Sequence, residues 1–360
     1  MTDIKAFRAR CLMSLALIAV LISSIAGYSS PAFAKANPRY ASLVMDADTG
    51  VVLSQSNPDK KLHPASLTKV MTLLMVFEAI EQGKLTLRDR VPVSRHAASM
   101  APSKLGLEAG SSIRVQDGIY AMVTKSANDV AVAFAEKLGG TEGNFGRMMT
   151  ARARQLGMNR TNFVNASGLH DKRQISTARD MATLARTVIK QYPGYYRYFS
   201  TANFSYKGHN YHNHNRLMET YKGMDGMKTG YVGASGFNLV ASAVRNNRRL
   251  IGVVFGGTTA SKRNAEMEKL LNMGFNKAGD VRIARADPAP LPEKLAPVAT
   301  RSGTSPAPIP PPKPAMLAAV DSLARVMPAA GSITHRPPVK MASIGPILDS
   351  AKFSELTGEG

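Results

Sequence analysis

His63-Pro-Ala-Ser-Leu-Thr-Lys-Val-Met-Thr72 (HPASLTKVMT, residues 63–72) sets a hydroxyl and an amine three positions apart at the head of an apolar run. Helical periodicity continues from Ser66 to Gln82 and stops at Gly83. In such a helix Ser66 and Lys69 lie one turn apart on one face, so the amine reaches the hydroxyl. Serine is a poor nucleophile until a neighbouring base takes its proton. Lysine serves as that base only when burial or a second cation lowers its pKa. The start of the helix adds backbone N–H donors where an oxyanion would form. The plainer reading, Ser66 as a helix cap and Lys69 as a solvated lysine, stays open until the rest of the chain is read.

The 360 residues carry 46 Lys and Arg against 25 Asp and Glu, a net charge of +21. An excess of this size favours acidic partners: nucleic acid, anionic lipid headgroups or an anionic polymer. The N-terminus narrows the choice. Lys5, Arg8 and Arg10 precede the apolar stretch CLMSLALIAVLISSIAG, and Ala32-Phe33-Ala34 follows. This is the pattern of a secretory signal peptide, residues 1–34, cleaved after Ala34. The apolar run is short for a membrane span and includes Ser23, Ser24 and Gly27. Export argues against nucleic acid as a partner. The single cysteine, Cys11, lies inside the signal. The mature chain therefore has no disulfide, thiolate metal site or cysteine nucleophile.

From Lys35 to Ile283 the chain reads as one compact domain. YASLVMDADTGVVLSQS suggests a β-hairpin around Asp46–Gly50. VQDGIYAMVTKSANDVAVAFAEKLGG reads as two helices interrupted near Lys125-Ser126. GFNLVASAV and RLIGVVFGG read as a second hairpin around Asn246-Asn247, followed by a helix from Ala260 to Asn276. Strands at both ends with helices between predict an α/β fold, with one sheet built from both termini. Residues 284–360 are different: 14 of the 21 prolines lie between positions 288 and 346. This is a Pro/Ala-rich linker or disordered tail, with short helical patterns at Met316–Met327 and Ile347–Leu356.

Two further fragments bear on the opening stretch. Ser126-Ala127-Asn128 falls at the break between the two predicted helices, 60 residues after Ser66. Lys228-Thr229-Gly230 falls ahead of the second hairpin, 102 residues after Ser126. Each motif occurs once, and together they form an ordered set known from β-lactamases and penicillin-binding proteins. With these three and the stretch KTGYVGASGFNLVASA, the chain from Lys35 to about Gly279 resembles the low-molecular-weight penicillin-binding proteins. These are the serine-type D-alanyl-D-alanine carboxypeptidases of peptidase family S11.

The resemblance implies a β-lactamase/transpeptidase-like fold: a five-stranded antiparallel sheet flanked by helices, with a helical subdomain and the site between them. It implies removal of the terminal D-alanine from peptidoglycan stem pentapeptides, with Ser66 as nucleophile, Lys69 as its general base and Ser126 as proton carrier to the leaving group. Asn128 would bind substrate and help to position Lys69. Lys228 and Thr229 would receive the terminal carboxylate, with Gly230 completing the motif. Backbone N–H groups of Ser66 and Tyr231 would form the oxyanion hole. No metal or organic cofactor is implied, and β-lactam antibiotics would be covalent inhibitors. The rival readings are an endopeptidase of the same fold that cuts wall cross-links, a β-lactamase, and a non-catalytic wall-binding protein.

Some members carry an arginine upstream of Lys-Thr-Gly that helps bind the carboxylate. Here His214 falls at that place and Arg216 two residues later. The set His209, His212 and His214 could be read as a metal cluster, but has no carboxylate within it. Glu268–Asn272 has the pattern of a deacylating glutamate, yet follows Lys-Thr-Gly and so reads as helix surface. The second domain and terminal amphipathic helix of many relatives are replaced by the tail. The basic charge suggests an anionic membrane surface or wall polymer as a further partner.

Overall fold

The computed structural model describes residues 37–280 and Leu291. The expected signal peptide, the expected boundary at Ile283 and, apart from Leu291, the expected tail with its two helical patterns lie outside the described residues. Five strands form one antiparallel sheet: β1 (Ala41–Asp46), β2 (Val52–Ser56), β7 (Met224–Val232), β8 (Gly236–Arg245) and β9 (Arg248–Gly257), in the order β2-β1-β9-β8-β7. The sheet is thus made from both ends of the described chain, as the sequence predicts. At the first hairpin the Asp46 carboxylate accepts the N–H groups of Asp48 and Thr49 at 3.0 and 2.9 Å, which closes the turn. At the second, Asn246 and Asn247 both take positive φ (49° and 58°). Asparagine tolerates that conformation, and its twist matches that of the flanking strands.

Layers on both faces explain why β8 and β9 read as nearly continuous apolar runs. Leu43, Val240, Val253 and Phe255 join the large core beneath the helical subdomain. Val44, Leu239, Leu250 and Val254 instead pack with Met267, Leu270 and Leu271. Those three belong to the last helix, which runs from Ala260 to Asp280, four residues past the predicted end.

The subdomain lies between β2 and β7 in the chain. Its first helix, α1 (Lys69–Glu81), is buried on nearly every side, which is why its sequence is apolar all round. A short α2 (Arg95–Ala98) follows, between β3 (Arg90–Pro92) and β4 (Ser112–Arg114). Then come α3 (Val115–Val123), α4 (Asn128–Gly139), α5 (Glu142–Gln155) and α6 (Ala178–Gln191). Thr141 and Thr177 cap α5 and α6 with their hydroxyls. The short α7 (Pro193–Tyr196) leads to the hairpin of β5 (Asn203–Tyr206) and β6 (His209–His212), and α8 (Leu217–Thr220) precedes β7. Glu78 of α1 and Arg152 of α5 form a buried ion pair at 2.7 Å, tying two helices of the subdomain together.

One expectation is corrected. The opening helix does not begin at Ser66: Ala65–Thr68 is a 3-10 turn, and α-helix starts only at Lys69. Lys228-Thr229-Gly230 falls just ahead of the second hairpin, as expected, and itself lies within β7, an edge strand of the same sheet. Among the described residues no helix is long and apolar enough to cross a membrane.

Candidate active site

The 3-10 turn accounts for the spacing of the first motif. With three residues per turn, positions i and i+3 eclipse, so Ser66 and Lys69 are stacked. Two distant glycines press on this turn. Gly168 (φ 85°) lies so close that a Cβ on it would overlap the Ala65 carbonyl oxygen, and a Cβ on Gly230 would sit 2.9 Å from the Ser66 nitrogen. Ala65 itself is held at φ 50°, a conformation that costs an L-residue energy and persists where packing imposes it.

Lys69 is fully buried. Its Nζ lies 2.6 Å from Asn128 Oδ1, 2.6 Å from the Ser167 carbonyl and 3.2 Å from Ser66 Oγ. The amide of Asn128 is oriented by its Nδ2, which donates to the Ala101 carbonyl at 2.8 Å. Burial, then the charge of Lys228, holds the Lys69 pKa well below its ordinary value, while Asp129 and Glu142 act in the opposite sense. The proton count follows. A neutral amine has two N–H bonds and one lone pair. Two of its three neighbours are carbonyl oxygens that only accept. Both N–H bonds are thereby spent, and the lone pair is left for the Ser66 hydroxyl. A neutral amine held in this way is able to accept a proton from that hydroxyl.

Ser126 sits at the predicted break, between α3 and α4, at φ 61°. Its Oγ is buried and has no hydrogen-bond partner among the described residues. A strained serine with an unused hydroxyl is a recurring feature of functional sites. In the first turn of α4, the Asp129 carboxylate takes the N–H groups of Leu105, Gly106 and Leu107 and so fastens that earlier loop to the helix.

Lys228 is 1% exposed. Burial first, then the Arg263 guanidinium, lowers its pKa to about 7. Arg263 is itself buried on the last helix and brought down to about 10 by that burial. Thr229 is buried beside Lys228, whereas the Tyr231 ring is half exposed and packs on Phe237 at 4.4 Å. As an edge strand, β7 presents unpaired backbone groups beside the turn that carries Ser66.

His214 lies beyond the end of β6 and is pushed down to about 3, by burial first and then by Lys228, Lys125, Arg216 and Lys69. It is therefore neutral, and it shares the lysines' field. Arg216 is exposed and pairs with Glu219 at 3.2 Å. Of the two, His214 is the residue at the site. His209 and His212 stay exposed on β6. Among the described residues no three His, Cys, Asp or Glu side chains are gathered as a metal set. Asn272, of the glutamate-like pattern Glu268–Asn272, is engaged by Tyr221 and Arg245 through its Oδ1.

The structure thus brings together Ser66, Lys69, Ser126, Asn128, Lys228, Thr229 and Gly230, from three separate segments. Sequence reading missed Ser167 and Arg263. Ser167 acts through a backbone carbonyl that every residue possesses; its one sequence signal is the turn chemistry of Asn165-Ala-Ser-Gly168, where Asn165 Oδ1 accepts the Gly168 N–H at 2.7 Å. Arg263 carries no signal beyond being a cation within a helix.

This sheet and cleft define a class, the fold of the penicillin-binding proteins. Penicillin binding protein 5 from Haemophilus influenzae matches with a TM-score of 0.64 and 37% identity, over 66% of this chain and 70% of that one. Penicillin-binding protein D2 from Listeria monocytogenes, solved in an ampicillin-bound form, matches at 0.61 and 32%, over 65% of this chain and 96% of that one. Among curated relatives, the D-alanyl-D-alanine carboxypeptidase DacF of Bacillus subtilis is 37% identical over 74% of this chain and 71% of its own. DacC of Escherichia coli is 38% identical over 65% of this chain and 60% of its own, so the chain spans less than two thirds of that relative. The family model for D-alanyl-D-alanine carboxypeptidase, peptidase S11, matches residues 32–259. The chain belongs to that family.

Proposed function

We propose that this protein is a serine DD-carboxypeptidase that removes the terminal D-alanine from peptidoglycan stem pentapeptides. Neutral Lys69 takes the proton of Ser66 Oγ as that oxygen bonds to the carbonyl carbon between the two D-alanines. The oxyanion is received by the backbone N–H groups of Ser66 and Tyr231. When the tetrahedral centre collapses, the C–N bond breaks and Ser126 passes the proton that Lys69 took, directly or relayed through Lys228, to the departing amine. Water then attacks the Ser66 ester, with Lys69 again accepting the proton; as the ester C–O bond breaks, that proton returns to Ser66 Oγ and the shortened peptide is freed. Lys228 and Thr229 hold the terminal carboxylate, and Asn128 binds the peptide while fixing Lys69. β-Lactams acylate the same oxygen, a reading supported by the ampicillin-bound relative. The protein works in the periplasm or envelope, where its charge favours anionic lipid or wall polymer.

The observation that carries this reading is the contact set of Lys69: two accepting carbonyls and one hydroxyl around a buried amine. Incubation with a stem pentapeptide ending in D-Ala-D-Ala should release D-alanine, and Ser66→Ala should abolish the release. Cleavage of a cross-linked muropeptide dimer without release from the pentapeptide would replace the carboxypeptidase with an endopeptidase.

A further inference from the structure

The two N–H groups of the proposed oxyanion hole come from different elements, Ser66 from the 3-10 turn and Tyr231 from β7. Their spacing depends on how the turn is fastened to the sheet. Two side chains of the β7–β8 hairpin make that connection, both onto one residue. Ser235 Oγ accepts the His63 N–H at 2.7 Å, and Asn238 Nδ2 donates to the His63 carbonyl at 3.0 Å. Both side chains are fully buried. Asn238 is held in turn from two sides: its Oδ1 accepts the Gly256 N–H at 3.2 Å, and its carbonyl accepts from Arg263 Nη1 at 2.9 Å. Asn238 also pairs with Gly230 across the β7–β8 ladder. Both residues fall in KTGYVGASGFNLVASA, and neither has a part in the chemistry proposed above.

We infer that Ser235 and Asn238 are positioning residues that set the separation of the Ser66 and Tyr231 N–H groups by clamping the peptide groups of His63 to the sheet. The inference rests on the oxyanion role proposed for those two groups. Such a clamp acts on the transition state, because the hole is engaged fully only when the carbonyl becomes tetrahedral. Without it, the loop at 164–176 still holds the turn from its other side: Leu62 exchanges backbone bonds with Ser176, and His63 Nδ1 meets the Gln174 carbonyl. The turn stays in place while its register against β7 loosens. An error of about 1 Å in such a position costs on the order of 100-fold in rate.

The test compares the full chain with Ser235→Ala and Asn238→Ala. It measures kcat and KM for D-alanine release, the rate of penicillin acylation, and the affinity of a peptide boronic acid, whose tetrahedral adduct places an oxygen in the hole. Ser235→Ala should lower kcat and acylation about 10-fold and Asn238→Ala about 100-fold, with KM within about 3-fold of wild type. Boronate affinity should fall by the same factor as kcat. Variants that melt earlier yet keep kcat and boronate affinity overturn the clamp. If Asn238→Ala does not fold, Ser235→Ala, which removes a single oxygen, decides. A folded wild type that neither releases D-alanine nor is acylated overturns the functional reading and the clamp together. An active wild type with unaffected variants overturns the clamp alone.

Discussion

Two buried lysines within reach of each other's field are costly to the fold, and the cost is tied to their use. Lys228 has its ordinary value of 10.5 in the unfolded chain and about 7 in the native one. Between those values the unfolded chain holds a proton that the native chain has released. Stability from this group therefore rises with pH across that window, and the full penalty applies below about 7. Lys228→Met removes the penalty while keeping most of the volume. It should stabilise the protein by about 1–2 kcal/mol near pH 6.5, allowing for lost contacts. The gain should shrink as pH approaches 10, while D-alanine release is lost at every pH. Denaturant melts of both proteins at the two pH values check this; a variant less stable than wild type at pH 6.5 would contradict it.

At the scale of elements, the site depends on a short turn pressed between a strand and a loop. Gly230 is where β7 meets that turn, and its lack of a Cβ sets the approach. Gly230→Ala puts a methyl 2.9 Å from the Ser66 nitrogen, against backbone rather than a movable side chain. The turn or the strand must shift, at about 1–3 kcal/mol, a typical cost of overpacking. Penicillin acylation should fall at least about 10-fold, and stopped-flow labelling of the variant reads this directly. Unchanged acylation would mean that the strand can yield at no cost to the site. The same junction shows what sequence can and cannot convey. The hairpins were legible because local chemistry dictates them: Asn246-Asn247 at one turn, Asp46 at the other. So was the break at Ser126, which interrupts two helical patterns. The 3-10 turn was not, because it is imposed by Gly168 and Gly230, about 100 and 160 residues further along the chain. Nor was β7, since MDGMKTGYV shows no alternation and lies at the edge of the sheet. His214 was left undecided against Arg216 because only folding shows which of them joins the lysines.

For the molecule as a whole, the sheet closes the domain by joining residues 41–46 to residues 248–257: β1 pairs at once with its neighbour β2 but gains its second partner, β9, from about 200 residues further on. Both core clusters are made within residues 41–271. The proposed catalytic domain, 35–283, should therefore carry the chemistry without the tail. The central claim is that Ser66, made nucleophilic by neutral Lys69, becomes acylated. The most direct measurement is the mass of the protein after exposure to a penicillin, for the full chain and for 35–283, followed by mapping of the modified peptide. One adduct per chain, located on Ser66 in both proteins and missing from Lys69→Ala on the same timescale, is the predicted result. A folded protein that takes up no adduct, or takes it up elsewhere than Ser66, would contradict the account.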